Sequence, residues 1–164
     1  MTRFVVMGVS GCGKTSVGQA VANGLGARFI DGDDLHPAAS IAKMARGVAL
    51  NDADRAPWLD LVGAALAGNE NIVIGCSALK RAYRDRIIRA AGGPVTFLFL
   101  AGSRDVIAAR LAARKGHFMP PALLESQFAA LEPPGPDELA ITANIDQPFG
   151  GLVDELLSRI GQRS

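Results

Sequence analysis

The sequence predicts an α/β fold in three layers, a five-stranded parallel sheet flanked by helices on both sides. Three observations carry that prediction. Five apolar runs of strand length are spread along the 164 residues, helical periodicity fills the stretches between them, and a glycine-rich segment joins the first run to the first helical stretch. Unbroken hydrophobicity marks strands covered on both faces. Alternation of strand and helix builds a parallel sheet, because right-handed crossovers return each helix to a sheet face. The length suits a single domain over residues 1–164, with one full core. A chain that is 49% hydrophobic and 20% charged is a folded one, neither disordered nor fibrous. Seventeen basic residues against 16 acidic ones leave no global field for nucleic acid or anionic lipid, so any anion site is local.

The first strand is expected over Phe4 to Met7. The apolar run that contains it is too brief for a signal peptide or a membrane span, which predicts a cytoplasmic protein. Next comes Gly8-Val-Ser-Gly-Cys-Gly13-Lys14-Thr15, a match to G-x-x-x-x-G-K-[ST] placed between strand and helix as that motif requires. This is the phosphate-binding P-loop. Glycines let successive backbone amides turn inward, so an anion meets a ring of donors and the positive end of the following helix. The expected nucleotide contacts are Gly8, Ser10, Gly11, Cys12, Gly13, Lys14, Thr15 and Ser16, with Lys14 reaching the outer phosphates and the Thr15 hydroxyl binding Mg²⁺. Cys12 takes a variable position of the loop and reads as filler. Together with Cys76 it suggests free thiols in a reducing compartment. Val17, Val21 and Leu25 give the first helix its apolar stripe.

The second strand, Ala27 to Ile30, runs into Asp31-Gly-Asp33-Asp34-Leu-His36-Pro37. Strand carboxyl ends beside a switch point face the ligand crevice. Two residues apart on an extended segment, Asp31 and Asp33 share a side, so Asp31 can serve the metal while Asp33 takes a proton from an acceptor hydroxyl. Asp34 fits a turn or cap. A helix follows through Leu59, Val62, Ala65 and Leu66, and Asp60-Leu-Val-Gly63 falls inside it, so this spelling of a GTPase switch is coincidental.

The third strand, Ile72 to Cys76, leads through Ser77, Ala78, Leu79 and Lys80 into a basic helix with Arg81, Tyr83, Arg84 and Arg86. With Arg55, these cations either hold an acceptor's carboxylate or form a solvated face. After the fourth strand, Val95 to Leu100, come Arg104, Arg110, Arg114, Lys115 and His117, which read as a lid over about 110–135 or as an amphipathic helix with a wet basic face. A helix over Pro121 to Leu131 ends at Glu132-Pro-Pro-Gly-Pro. The fifth strand spans Leu139 to Ile145, and the last helix Gly151 to Ile160.

Beyond the P-loop, the ordered segments Asp31-Gly-Asp-Asp-Leu-His-Pro, Leu50-Asn-Asp-Ala-Asp-Arg-Ala-Pro-Trp58, Cys76-Ser-Ala-Leu-Lys80, Tyr83-Arg-Asp, Arg114-Lys-Gly-His-Phe118 and Asp146-Gln-Pro resemble the gluconokinases over nearly the whole chain. That resemblance implies a fold like the nucleoside monophosphate kinases, with a lid. It implies ATP and Mg²⁺ as cofactors, transfer to the C6 hydroxyl of D-gluconate, and a homodimer. On matching positions it makes Lys14, Asp33 and Arg114 catalytic and puts Asp33, His36, Arg55, Lys80, Arg84 and His117 on the acceptor side. Thr15 and Asp31 would serve the metal, Arg110 would belong to the lid, and Gln147 and Pro148 would lie near adenine. Cys12 and Thr15 depart slightly from the family, standing where serine is frequent. The P-loop and paired aspartates alone also suit a shikimate kinase, though Gly75-Cys-Ser-Ala-Leu replaces the glycine run expected there. Nucleoside monophosphate kinases and a regulatory nucleotide-binding module remain open on those residues, the latter without any Asn-Lys-x-Asp guanine signature.

Overall fold

The structure is a computed structural model that describes residues 2–113 and 121–162. Five strands form one parallel sheet: β1 (Thr2–Met7), β2 (Arg28–Asp31), β3 (Asn71–Gly75), β4 (Thr96–Ala101) and β5 (Ala140–Asn144), in the order β2-β3-β1-β4-β5. The helices are α1 (Lys14–Leu25), α2 (Ala38–Ala45), α3 (Asp52–Ala67), α4 (Arg81–Ala91), α5 (Arg104–Ala113), α6 (Pro121–Ala130) and α7 (Phe149–Gly161), with a short 3-10 turn at Gly32–Leu35. Strand ends differ by a residue or two from the apolar runs, since Cys76 lies just past β3 and Leu139 and Ile145 flank β5. Hydrophobicity follows burial, whereas a strand ends where its ladder of hydrogen bonds ends. The sequence analysis left out α2, a helix of only eight residues whose larger apolar side chains, Ile41 and Met44, stay 53% and 42% exposed and so do not belong to a core-facing side.

The pleat of β1 sends alternate side chains to two cores. Val5 and Met7 pack with Leu59, Val62 and Leu66 of α3 and Ile87 of α4. Phe4 and Val6 pack with Val17 and Val21 of α1 and Leu152 and Leu156 of α7. Both destinations are apolar, so the strand reads as an unbroken hydrophobic run. Each aliphatic side chain so buried stabilises the fold by about 1.5–3 kcal/mol.

The topology also opens the crevice. β1 lies between β3 and β4, so the chain reverses its direction of travel across the sheet at β1, and loops part at its carboxyl end. The register pairs Val6 with Gly75 and Met7 with Phe99, which sets Gly8 level with the residues that follow β3. Gly8 N donates to Ser77 O at 3.2 Å and Cys76 N to Val6 O at 3.0 Å, tying the two loops together. Across the crevice, α3 starts with a capping box in which Asp54 N donates to Asn51 Oδ1 at 2.8 Å and Asn51 N to Asp54 Oδ2 at 2.9 Å. Lys43 Nζ reaches the same Asp54 oxygen at 2.6 Å and fastens α2 to that helix start. Asn51 and Asp54 therefore start a helix, and what they place is Arg55.

Candidate active site

The phosphate loop depends on a glycine at its entry. Gly8 has φ of +149°, and a Cβ there would sit 2.7 Å from Cys12 Sγ and 3.0 Å from Leu100 O, so no other residue fits without a shift. Lys14 curls over the loop, its Nζ donating to Gly8 O at 3.0 Å and Val9 O at 3.2 Å. Cys12 is buried and its amide donates back to Val9 O at 3.3 Å, so this residue shapes the loop from within. Burial pushes its thiol up despite nearby Lys14, and burial pushes Cys76 up to about 12, so neither is an activated nucleophile.

Asp31 closes β2 and caps the 3-10 turn. Its Oδ1 accepts from Asp33 N at 3.0 Å while its Oδ2 accepts from the Thr15 hydroxyl at 3.5 Å. The two aspartates meet through this cap and not through an extended strand, because the chain turns directly after Asp31. Trp58 of α3 holds that turn by donating Nε1–H to Gly32 O at 2.8 Å, and His36 stacks on the Trp58 ring at 4.3 Å between centroids. The Asp33 carboxyl is largely exposed at the mouth of a concave site. Surrounding protein thins its hydration and the Asp31 charge repels it, so its pKa is raised. His36 Nε2 lies 3.8 Å from Asp33 Oδ1, but burial holds the His36 pKa down and favours the neutral ring.

One cavity of about 540 Å³ gathers Lys14, Asp33, His36, Arg55, Lys80 and Tyr83 among its lining residues. Tyr83, on the basic helix and in the Tyr83-Arg-Asp segment, links the acceptor-side residues: its hydroxyl accepts from Arg55 Nη1 at 3.3 Å and donates to Asp52 Oδ1 at 2.5 Å. A second cavity, about 370 Å³, lies at the start of α1 and takes in Gly11, Gly13, Ser16, Arg110, Gln147 and Phe149. Phe149 escaped the sequence reading. Its signal was an aromatic directly after a helix-starting proline, and it is 52% exposed where it lines that cavity.

Several expected residues go elsewhere. Arg84 does not reach the acceptor cavity: it is fully buried, paired with Glu138 at 2.7 Å, and donates to Ala78 O at 2.9 Å and Glu132 O at 2.9 Å. Its job is to hold the loop after β3, where Ala78 adopts φ of +46°. Arg81 and Arg86 are likewise paired, with Asp137 and Asp60. Arg110, by contrast, stays at the second cavity, where its Nη2 donates to Ile145 O at 2.5 Å just past the end of β5. Ser10 and Thr15 stand on the loop and at the start of α1, and Pro148 caps α7 beside Gln147. Arg114, Lys115 and His117 lie outside the described residues.

A family model described as AAA domain matches residues 4–134. The chain is 53% identical over 139 residues to the thermosensitive gluconokinase of Escherichia coli (strain K12), covering 82% of this chain and 74% of that protein. The crystal structure of a gluconokinase from Sinorhizobium meliloti 1021 superposes with a TM-score of 0.91 at 46% identity, over 98% of this chain and 92% of that one. A shikimate kinase from Bacteroides thetaiotaomicron matches with a TM-score of 0.70 at 23% identity, over 98% of each chain, a likeness of fold alone.

Proposed function

The chain belongs to the gluconokinase family, and on that premise we propose how its residues move the terminal phosphate of ATP onto D-gluconate, giving 6-phospho-D-gluconate and ADP. The observation that carries the reading is the single cavity shared by Lys14, Asp33, Arg55 and Lys80. It brings an ammonium on a phosphate loop to the same space as a carboxylate base and two further cations. Backbone amides of the loop and Lys14 hold the triphosphate, while the adenine extends toward Arg110, Gln147 and Phe149. Asp33 orients the C6 hydroxyl and takes its proton as the oxygen bonds the terminal phosphorus and the bond to the bridging oxygen breaks. Arg55 and Lys80 grip the gluconate carboxylate, with His36 beside them.

Thr15 and Asp31 fit Mg²⁺, because a hydroxyl and a carboxylate 3.5 Å apart offer hard oxygens next to the phosphate loop. Bound there, the ion would neutralise charge on the phosphate oxygens. The chain acts as one kinase domain with a lid over about 110–135. The Arg-Lys-Gly-His-Phe segment supports Arg114 on the transferred phosphate and His117 on the acceptor, and the ion pair of Arg104 with Glu125 at 2.9 Å supports joint movement of α5 and α6. Resemblance to the family supports a homodimer. Two buried free thiols support a reducing, cytoplasmic setting.

The test is ADP release coupled to a reporter, with gluconate, shikimate or a nucleoside monophosphate as acceptor. Gluconate is expected to stimulate release and the others not; shikimate or a nucleotide matching it would overturn the acceptor assignment. Asp33→Asn is expected to lower kcat about a hundredfold or more with MgATP binding intact by calorimetry. Near-normal turnover in that variant would remove Asp33 from the chemistry.

A further inference from the structure

The crest of the phosphate loop is held from a distance. Ser10 N donates to Gln127 Oε1 at 2.7 Å, and Gln127 Nε2 donates to Ser10 Oγ at 3.0 Å. A carboxamide is the side-chain group that supplies one acceptor and one donor side by side, so it meets both polar groups of a single serine at once. The glutamine is half-buried on α6 and itself lines the acceptor cavity, together with Leu123, Ser126 and Ala130 of the same helix. Its neighbours Glu125 and Phe128 engage Arg104 of α5, by an ion pair at 2.9 Å and a cation–ring contact at 5.5 Å. One helix is thus a wall for the acceptor and a brace for the loop that carries the donor.

We propose that Gln127 is a positioning residue for phosphoryl transfer, acting through Ser10 to set the phosphate loop in register with the acceptor wall. This rests on the kinase reading above. Transfer requires the acceptor oxygen and the terminal phosphorus in line and close, and a misplacement of about 1 Å can cost about a hundredfold in rate. Residues that merely bind nucleotide would shift KM for ATP. A residue that sets the distance between two bound partners shifts kcat instead.

The experiment compares wild type, Gln127→Met, Ser10→Ala and the double variant in steady-state turnover with gluconate, alongside thermal unfolding and MgATP calorimetry. Gln127→Met keeps the length and loses both bonds. It is expected to lower kcat about tenfold or more, with KM for ATP and the unfolding midpoint close to wild type. Ser10→Ala keeps the backbone bond and is expected to cost less, and the double variant should be no worse than Gln127→Met, because the two residues act as one unit. Wild-type kcat in Gln127→Met, or losses that multiply in the double variant, would overturn the proposal. If the methionine variant does not fold, Gln127→Asn, one methylene too short for the clasp, gives the same reading by the same criterion. Absence of gluconate-dependent turnover in the wild type would instead strike the kinase reading itself.

Discussion

Tyr83 lies where two cations need a reason to stay together. Arg55 Cζ and Lys80 Nζ stand 5.7 and 5.6 Å from the centre of its ring, and its hydroxyl bridges Arg55 to Asp52. Both the ring face and the Asp52 carboxylate offset the mutual repulsion of the cations. The hydrogen bond from Tyr83 holds the Asp52 pKa low, while partial burial, then Asp52, push the phenol up, so the proton stays on the tyrosine as a donor. Tyr83→Phe keeps the ring and removes the bridge. KM for gluconate is expected to rise about three- to tenfold, the net size of one ordinary hydrogen bond, since the bridge acts on gluconate only through Arg55, with kcat and KM for ATP little changed. Steady-state kinetics with each substrate varied checks this, and an unaltered gluconate KM would dismiss the role. Arg84, the next residue, shows what single-residue reading misses. In sequence it is one more cation on a basic helix, but its direction around α4 is set by Glu138, 54 positions away. Breaking such a buried pair from one side costs about 3–5 kcal/mol, so the fold alone explains an arginine here. Lys14, Thr15 and the two aspartates were legible because their geometry is fixed within a few residues by loop, cap and turn. The Gln127 clasp spans 117 positions and leaves no local trace.

At the scale of elements, α3 and α4 matter because each delivers a side chain to the acceptor cavity: Arg55 from the first turn of one, Tyr83 from the first turn of the other. Gly63 is what lets them approach. A Cβ built there would collide with the Ala90 Cβ and lie 2.8 Å from Ile87 O, a backbone atom that cannot swing aside. Alanine would gain about 1 kcal/mol of helix propensity over glycine, yet overpacking at a helix crossing costs about 1–3 kcal/mol, so the loss is expected to win. Gly63→Ala should lower the thermal midpoint by a few degrees, at about 2–4 °C per kcal/mol for a chain of this size. A midpoint equal to or above wild type would mean that the helices can separate freely. The same helix carries the Asp60-Leu-Val-Gly63 spelling, and its helical setting explains that segment by packing without any switch chemistry. Strands and long helices were legible from their apolar spacing. The 3-10 turn and α2 were not, since one is ordered by Asp31 and Trp58 and the other leaves its larger apolar residues in solvent.

Across the whole molecule, sequence gave five strands and their parallel sense, but not the order in which they lie. That order follows from which face each crossover covers, a matter of long-range packing. The order β2-β3-β1-β4-β5 brings Asp31, at the end of β2, and Asp33, just past it, to the crevice that opens at the end of β1. This concentration of acid has a consequence for global stability. Lost hydration, then repulsion by Asp31, raise the Asp33 pKa in the folded chain. The folded state therefore binds a proton that the unfolded chain, with a carboxyl pKa of about 3.9, has already released. The stabilising contribution is whole below that unfolded value and is lost as pH rises through the higher folded value, so ionised Asp33 opposes folding near neutrality. Asp33→Asn removes the charge at similar size. It is expected to unfold at a higher temperature than wild type at about pH 7.5, with the advantage shrinking toward about pH 4 and gone below it. Thermal unfolding of both proteins across that range decides the matter. A neutral-pH midpoint at or below wild type would mean that ionised Asp33 is stabilised by partners in the folded chain, and its opposition to folding would have to be withdrawn.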